Sequence, residues 1–234
     1  MLKKMKRKSS LFVILCMLAS MAFLGQEVSA KAKFSVPKTI VFSFDKGNTG
    51  ANEYYSNVIW ISGTSNWKVA SKVQSGIGST KASGKKVISK LTPFYSENRS
   101  QMAGLGLRLK KTGTSTVTFK IKYQKKTYKM KTKVKVVKYQ NPFKRIMIDG
   151  ADYTSRYNNK QASNVTTWGS KYVITPNQYW KIKSVYTYQP GKKLQKVTVK
   201  NHSFTIKKNY NATITMQNTR TKVCEEINVK NPGF

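Results

Sequence analysis

The stretch TVTFKIKYQKKTYKMKTKVKVVKY, residues 116–139, places a lysine at nearly every second position. Successive side chains of a β-strand point to opposite faces of a sheet, so alternation separates an apolar face from a polar one. The stretch therefore predicts an antiparallel hairpin whose two strands are joined by the polar link at residues 124–127. The buried face would carry Val117, Phe119, Ile121, Tyr123, Tyr128, Met130, Val134 and Val136.

The lysines of this hairpin are the candidate binding residues. We name them the lysine face; they are Lys120, Lys122, Lys129, Lys131, Lys133 and Lys135. A row of ammonium groups attracts polyanions through its field and through the release of counterions. A second interpretation is that these lysines only keep a strand-rich protein soluble and protect its sheet edges from pairing.

The N-terminus has the pattern of a secretory signal peptide. A basic start, MLKKMKRKSS, precedes the apolar run LFVILCMLASMAFLG, and the small residues of VSA follow. We expect cleavage after residue 30, because the apolar run is shorter than the roughly 20 residues of a membrane-spanning helix. After cleavage we expect no stable membrane insertion and a secreted protein that can associate with the cell wall.

The charge of the chain is extreme, with 44 Lys+Arg against 8 Asp+Glu and a formal net charge of +36. Such a chain attracts polyanions of every class. Secretion narrows the choice to anionic cell-envelope polymers and acidic polysaccharides, with non-specific binding of nucleic acid as a further expectation.

Short strands account for nearly every segment that has a clear pattern. The first half contains KTIVFSF, NVIWISG, NWKVASKV, KKVISKL, GLGLRLKK and the hairpin, and the second half continues in the same style. Strands at this spacing, without a helical stripe, predict an all-β fold of two antiparallel sandwich domains in tandem after the signal peptide. The domains would comprise residues 31–138 and 139–234, with the proline-containing segment QNPFKR at residues 140–145 as the link.

The segment LRLKKTGTSTVTFKI, residues 107–121, resembles the late-strand signature of bacterial immunoglobulin-like domains. WKVASKV, residues 67–73, resembles a segment that precedes a short strand in the same family. Gly113 would supply the turn and Thr114 would begin the next strand. TPFYSENRSQMAG, residues 92–104, reads as an insertion relative to that pattern. The resemblance implies a secreted or surface-attached module that binds, spaces or displays, without chemistry of its own.

No residue constellation predicts catalysis, so we expect a protein that is not an enzyme and has no cofactor or metal. Seven acids beyond residue 30 are too scattered to promise the carboxylate pair of a glycoside hydrolase. Asp149 and Asp152 are better explained by a turn than by a calcium loop. His202 is expected in a loop, and Cys224 is expected to fill space in or beside a strand rather than act as a nucleophile.

The aromatic residues allow two interpretations. Trp60, Trp67 and Trp180 occupy predicted strands, where a sandwich core needs bulky side chains. Tyrosines beside lysines, as at residues 54–55 and 186–188, can also stack on sugars or bases.

Together these features predict a secreted, strongly basic, non-catalytic binding or scaffold protein held at the cell envelope by anionic polymers. The alternative is an extracellular binder of nucleic acid or acidic polysaccharide with a specific lysine and aromatic site. A hydrolase is the weakest of the three hypotheses.

Overall fold

Four β-sheets form the described part of the protein, as seen in a computed structural model. The structure describes residues 34–46, 57–64, 66–84, 86–96, 102–157, 164–166, 171–189 and 194–230. The predicted signal peptide, residues 1–30, and the tyrosines at residues 54–55 lie outside this part of the chain. The described residues from Ser35 onwards belong to one compact unit.

The first half of the chain contributes two sheets. One sheet has the strand order β1-β7-β6-β3, and its strands are β1 (Thr39–Phe44), β3 (Ile77–Ala82), β6 (Gly113–Tyr123) and β7 (Lys126–Lys138). The other has the order β2-β5-β4, and its strands are β2 (Val58–Trp60), β4 (Ile88–Ser96) and β5 (Met102–Leu109). Ile59, Leu105 and Leu107 of the second sheet are fully buried, as are Val117 and Ile121 of the first.

A helix, α1 (Trp67–Ser75), replaces the strand that NWKVASKV was expected to form. The Asn66 side chain caps it by accepting a hydrogen bond from the Val69 N–H at 3.0 Å. The buried residues of α1 are Ala70 and Val73, which lie one helical turn apart. The buried side chains of this segment therefore follow the period of a helix and not the alternation of a strand. The expectation of a strand at residues 67–73 was wrong.

The third strand of the first half is β3, which follows the helix directly. Gly76 ends α1, and its carbonyl accepts a hydrogen bond from the Lys122 N–H at 2.9 Å, so the helix end is fixed on β6. The segment at residues 92–104, which reads as an insertion relative to the family pattern, is paired strand in its described parts. It supplies the end of β4 and the start of β5, which pair antiparallel from Ile88↔Leu109 to Ser96↔Met102.

The second half contributes the other two sheets around a shared core. One has the order β14-β11-β8-β9, formed by β8 (Phe143–Ile148), β9 (Ala151–Asp152), β11 (Lys171–Pro176) and β14 (Ser203–Thr205). The other has the order β10-β16-β15-β12-β13, formed by β10 (Asn164–Thr166), β12 (Trp180–Tyr188), β13 (Gln195–Val197), β15 (Asn211–Asn218) and β16 (Cys224–Lys230). A short 3-10 helix, Thr154–Tyr157, adds Tyr157 to the core.

The strand order of the first half is that of an immunoglobulin-like sandwich. In the first half, β2-β5-β4 and β3-β6-β7 correspond to the two facing sheets of that fold, with β1 added beside β7. β1 runs parallel to β7, and β10 runs parallel to β16, whereas the remaining pairs among the described strands are antiparallel. The predicted all-β sandwich fold is confirmed.

The segment between the halves is shorter than expected. β8 begins at Phe143, so residues 143–145 belong to a strand and only residues 139–142 connect β7 to β8. This corrects the expected link at residues 140–145. A proline cannot donate a hydrogen bond to a sheet ladder, so it lies just outside the strand, but the residues that follow it pair normally. None of the four described sheets crosses this connection. The division into two domains at residue 139 stays a prediction.

Among the described residues, no helix has both the length and the apolar character needed to cross a membrane.

Candidate polyanion-binding site

The hairpin of β6 and β7 presents the lysine face to solvent. All six of its lysines are exposed, while the alternating Val117, Phe119 and Ile121 on β6 and Met130, Val134 and Val136 on β7 are buried. Gln124 and Lys125 form the turn with φ of 46° and 62°, and two positive φ values in succession give the tight turn that suits twisted hairpins. The predicted assignment of faces is therefore what the structure shows.

The register of the hairpin places threonines opposite most of the lysines. Four of the six lysines lie opposite a threonine. The pairs are Lys131 with Thr118, Lys133 with Thr116, Lys135 with Thr114, and Lys122 with Thr127. Like charges directly opposite one another destabilise a sheet, so this arrangement keeps positive charges apart across the ladder. Lys120 and Lys129 are the exception, since they lie opposite each other.

Lys81 extends the lysine face onto the neighbouring strand. It lies opposite Thr118 in the β3–β6 pair, so Lys81, Thr118 and Lys131 form one row across three strands. Lys81 is exposed. The sequence pattern does not point to Lys81, because the segment STKA has only a weak alternation and does not indicate a strand. Ser79 interrupts β3 with a φ of 49°.

No acidic side chain neutralises the lysine face within the described part of the chain. The described acids are Asp45, Asp149, Asp152, Glu225 and Glu226, and they lie on other elements. The six lysines and Lys81 make no ion pair with any of them. Their charges therefore add up over one side of the sheet, and this is the electrostatic condition for holding a polyanion.

The lysine face ends where the second half begins. Beyond Lys135 the same side of the sheet carries Val137 on β7 and Val41 on β1, and both are partly buried against the core of the second half. Val41 pairs directly with Lys135. The outer surface of this sheet therefore changes from charged to apolar within one strand, so a long ligand has open access along the sheet only from the hairpin turn up to Lys135.

A groove of about 290 Å³ lies beside this border, and its lining includes three lysines and one acid: Phe44, Asp45, Lys46, Lys111, Thr112, Lys138 and Tyr139. Burial raises the pKa of the Tyr139 hydroxyl well above its usual value, and the negative charges of Glu225 and Asp45 raise it further. A tyrosine hydroxyl is already neutral at physiological pH, so the raised pKa extends the neutral form of Tyr139 into more alkaline solution. No residue pair among these lining residues offers the acid and base of a hydrolase.

The other residues considered as chemical groups occupy structural positions. His202 is exposed in a tight turn with Asn201, where φ is 61° and 47° respectively. Cys224 is the first residue of β16, and its Sγ lies 3.7 Å from Lys183 Nζ and 3.7 Å from Gln217 Nε2. The expected positions of both residues, in a loop and in a strand, are what the structure shows.

Asp149 lies in a turn, as expected, whereas Asp152 is the last residue of the short strand β9. Asp149 has a φ of 47° and precedes Gly150 in the turn between β8 and β9. Asp152 accepts hydrogen bonds from the N–H and hydroxyl of Thr154 and pairs with Arg145 at 3.0 Å, and these contacts lower the pKa of its carboxyl. Within the described residues, no group of three or more His, Cys, Asp or Glu could hold a metal ion.

The three tryptophans that were placed on predicted strands differ in environment. Trp180 is buried in the core of the second half, as expected. Trp60 is half-buried and meets the Phe94 ring edge-on at 5.6 Å, across the strand that carries Gly104. Trp67 is 54% exposed at the start of α1, so its assignment to the core was wrong.

No family model matches the chain, and no curated protein matches it. Extracellular cadherin domains 1–5 of protocadherin gamma B2 are 8% identical, with a TM-score of 0.26 over 84% of this chain and 40% of theirs. A chimeric titin Z1Z2 is 10% identical, with a TM-score of 0.25 over 86% of this chain and 97% of that one. A SusE-like surface polysaccharide-binding protein from Bacteroides thetaiotaomicron is 11% identical, with a TM-score of 0.26 over 85% of this chain and 34% of that one. Superpositions this loose carry no functional argument, and the immunoglobulin-like fold rests on the strand order described above.

Proposed function

We propose that the protein is a secreted, non-catalytic, immunoglobulin-like binding or scaffold protein that associates with the cell envelope through anionic polymers. The observation that carries the proposal is the lysine face: six exposed lysines on two paired strands, without an acid among the described residues to neutralise them. Acidic wall polymers and acidic polysaccharides are its expected partners.

The geometry supports binding through many weak contacts. Each exposed ammonium group gains little by itself in water, because solvent screens an exposed ion pair. A polymer that spans several lysines releases one counterion per neutralised charge, and this gain in entropy accumulates along the ligand. A rigid sheet holds the lysine backbones in fixed positions, so only the side-chain stems must be ordered.

The resemblance to bacterial immunoglobulin-like surface domains agrees with a role in display. Residues 107–121 form the end of β5, a turn and most of β6, so the segment that carries the resemblance also begins the strand that carries Lys120. Gly113 has the positive φ, 144°, that was expected of the turn, and β6 begins at this residue. We propose that the module belongs to this class of surface domain.

The test is to replace all six residues of the lysine face with glutamine and to measure binding to anionic polymers at several salt concentrations. We expect lower affinity and a salt slope smaller by about 4, since each lost contact to a flexible strand removes about 0.7 from the slope. The matched control replaces six exposed lysines of the second half: Lys144, Lys181, Lys196, Lys200, Lys207 and Lys208. Equal losses in the two variants would show that only net charge matters and would refute a site on the lysine face.

The groove at Tyr139 favours a second candidate function, that of a specific binder of acidic polysaccharide or nucleic acid. It combines a neutral hydroxyl donor with the lysines Lys46, Lys111 and Lys138. Short, singly charged oligosaccharides would then bind with little dependence on salt. Replacement of Lys111 and Lys138 by glutamine should abolish that binding, and its persistence would exclude the groove.

A further inference from the structure

We propose that the lysine face selects polymers that carry one phosphodiester for every six bonds of their backbone. This inference rests on the proposed function and names the ligand class for the same site. It comes from the spacing of the lysines along β7 and from the hydroxyl groups beside them.

Lysines on β7 recur at every second residue, at Lys129, Lys131, Lys133 and Lys135. Two residues of polypeptide contain six backbone bonds and extend about 7 Å in a strand. A polymer of three-carbon alcohols joined by phosphodiesters also has six backbone bonds per repeat, of similar lengths. Its extended chain can therefore place one phosphate over each of these lysines, and the match does not drift along the row.

A second donor accompanies most lysines of this row. Thr118, Thr116 and Thr114 lie directly opposite Lys131, Lys133 and Lys135 on β6, so their spacing is the same. Within the described part of the chain, the hydroxyls of these threonines make no hydrogen bond. A phosphodiester has two unesterified oxygens, so one can accept from the ammonium group and the other from the hydroxyl. Charged hydrogen bonds of this kind are about twice as strong as neutral ones.

Polymers with other charge spacings fit the row poorly. Inorganic polyphosphate carries one charge for every two backbone bonds, so most of its charges would find no lysine. A polysaccharide with one carboxylate in every second sugar spaces its charges more widely than the lysines. Flexible lysine stems absorb a small mismatch at one position, but the mismatch grows with each repeat.

The decisive variant exchanges lysine and threonine between the β7 row and exposed positions outside the lysine face, and it keeps the net charge. It combines Lys131→Thr with Thr92→Lys, and Lys133→Thr with Thr221→Lys, so two charges leave the β7 row and no new row of lysines forms on β6. The probes are poly(glycerol phosphate), oligothymidylate with the same number of phosphates, and inorganic polyphosphate, each titrated against the purified protein at several salt concentrations.

For poly(glycerol phosphate) and oligothymidylate, the exchange should lower the salt slope by about 1.4, which corresponds to two of four phosphate contacts. Binding of polyphosphate should not change. The two phosphodiester polymers share the spacing, so similar slopes indicate recognition of that spacing alone. Binding of oligothymidylate without poly(glycerol phosphate) would overturn the inference, because contacts to bases would then be required.

Failure of this inference differs from failure of the proposed function. An exchange variant that binds all three probes like the unmodified protein would refute the spacing while leaving polyanion binding intact. If the unmodified protein binds none of the three probes, the inference and the proposed function are both refuted. If the exchange variant does not fold, two double variants take its place. One combines Lys131→Thr and Lys133→Thr on β7, and the other combines Lys196→Thr and Lys207→Thr in the second half. Equal losses of phosphodiester binding in the two double variants would overturn the inference.

Discussion

Lys120 and Lys129 lie directly opposite each other in the β6–β7 ladder, and they are the only two residues of the lysine face that pair in this way. Directly opposed like charges cost a sheet roughly 0.2–1 kcal/mol. We therefore expect Lys129→Thr to raise the free energy of unfolding by about 0.5 kcal/mol at low salt, measured by urea denaturation. High salt should reduce the gain, because it screens exposed charges.

Lys131→Thr is the matched control for this prediction, since Lys131 already faces Thr118. It should change the stability much less than Lys129→Thr. If both substitutions have the same effect, the repulsion does not come from the opposed pair and acts over the whole face.

The contact between the end of α1 and β6 requires a glycine. A Cβ at Gly76 would lie 2.0 Å from the Lys122 carbonyl oxygen, whereas a Cβ at Gly78 has no neighbour within 4 Å. We expect Gly76→Ala to lower the free energy of unfolding by more than about 2 kcal/mol, because backbone must move, and Gly78→Ala to change it by less than about 1 kcal/mol. Equal effects in thermal denaturation would contradict the close approach of the two backbones.

Asn177 holds the connection between the two halves. Its side-chain amide donates to the Asn141 and Phe143 carbonyls, both at 2.9 Å. Asn177→Ala should cost about 1–2 kcal/mol, and limited proteolysis should then cut within residues 139–142 more rapidly. Gln195→Ala, at an exposed side chain, should leave the cleavage rate unchanged.

The same proteolysis tests the predicted division into two domains. Cleavage at residues 139–142 should release two β-rich fragments, although Val41 and Val137 give them a small apolar contact. If the Asn177→Ala variant instead leaves a single resistant core under the same cleavage conditions, the result would count against two domains.

Because the hydroxyl of Tyr157 is buried, we expect the protein to lose stability at alkaline pH. Burial raises the pKa of this hydroxyl to about 12 from the usual value of 10.0, with a smaller contribution from Tyr153. Between these values the unfolded chain loses its proton first, so the stability is complete below about pH 10 and falls by up to about 1.4 kcal/mol per pH unit as pH rises. In Tyr157→Phe the fall over this range should be smaller by that amount, as measured by denaturation at pH 9, 10 and 11. An unchanged profile would show that Tyr157 ionises freely.

Substitutions of His202 and Cys224 test whether the protein acts as a binding protein or as an enzyme. Replacement of either residue by alanine should leave polymer binding intact, because His202 is in a turn and Cys224 lies on a strand of the second half. A folded His202→Ala variant that has lost its function would instead require a catalytic role.

Alternation was a reliable guide for the hairpin of β6 and β7, where each strand has one solvent-exposed face. It predicted the hairpin of β6 and β7 and the exposure of its lysines, because the period of two is imposed by the backbone itself. It failed at residues 67–73, where Ala70 and Val73 fit both a strand and a short helix. There the cap at Asn66 and the close fit of Gly76 against Lys122 decide for the helix.

By itself, the sequence determined the strand class, the excess of positive charge and which lysines share a side of one hairpin, since all three depend on composition or on neighbours along the chain. Only the tertiary structure decided the rest. Strand pairing brought Lys81 to the lysine face and set threonines opposite most of its lysines, while packing against the second half ended that face at Val137. Such relations join residues that are distant in sequence, and the register and packing that create them have no local signature.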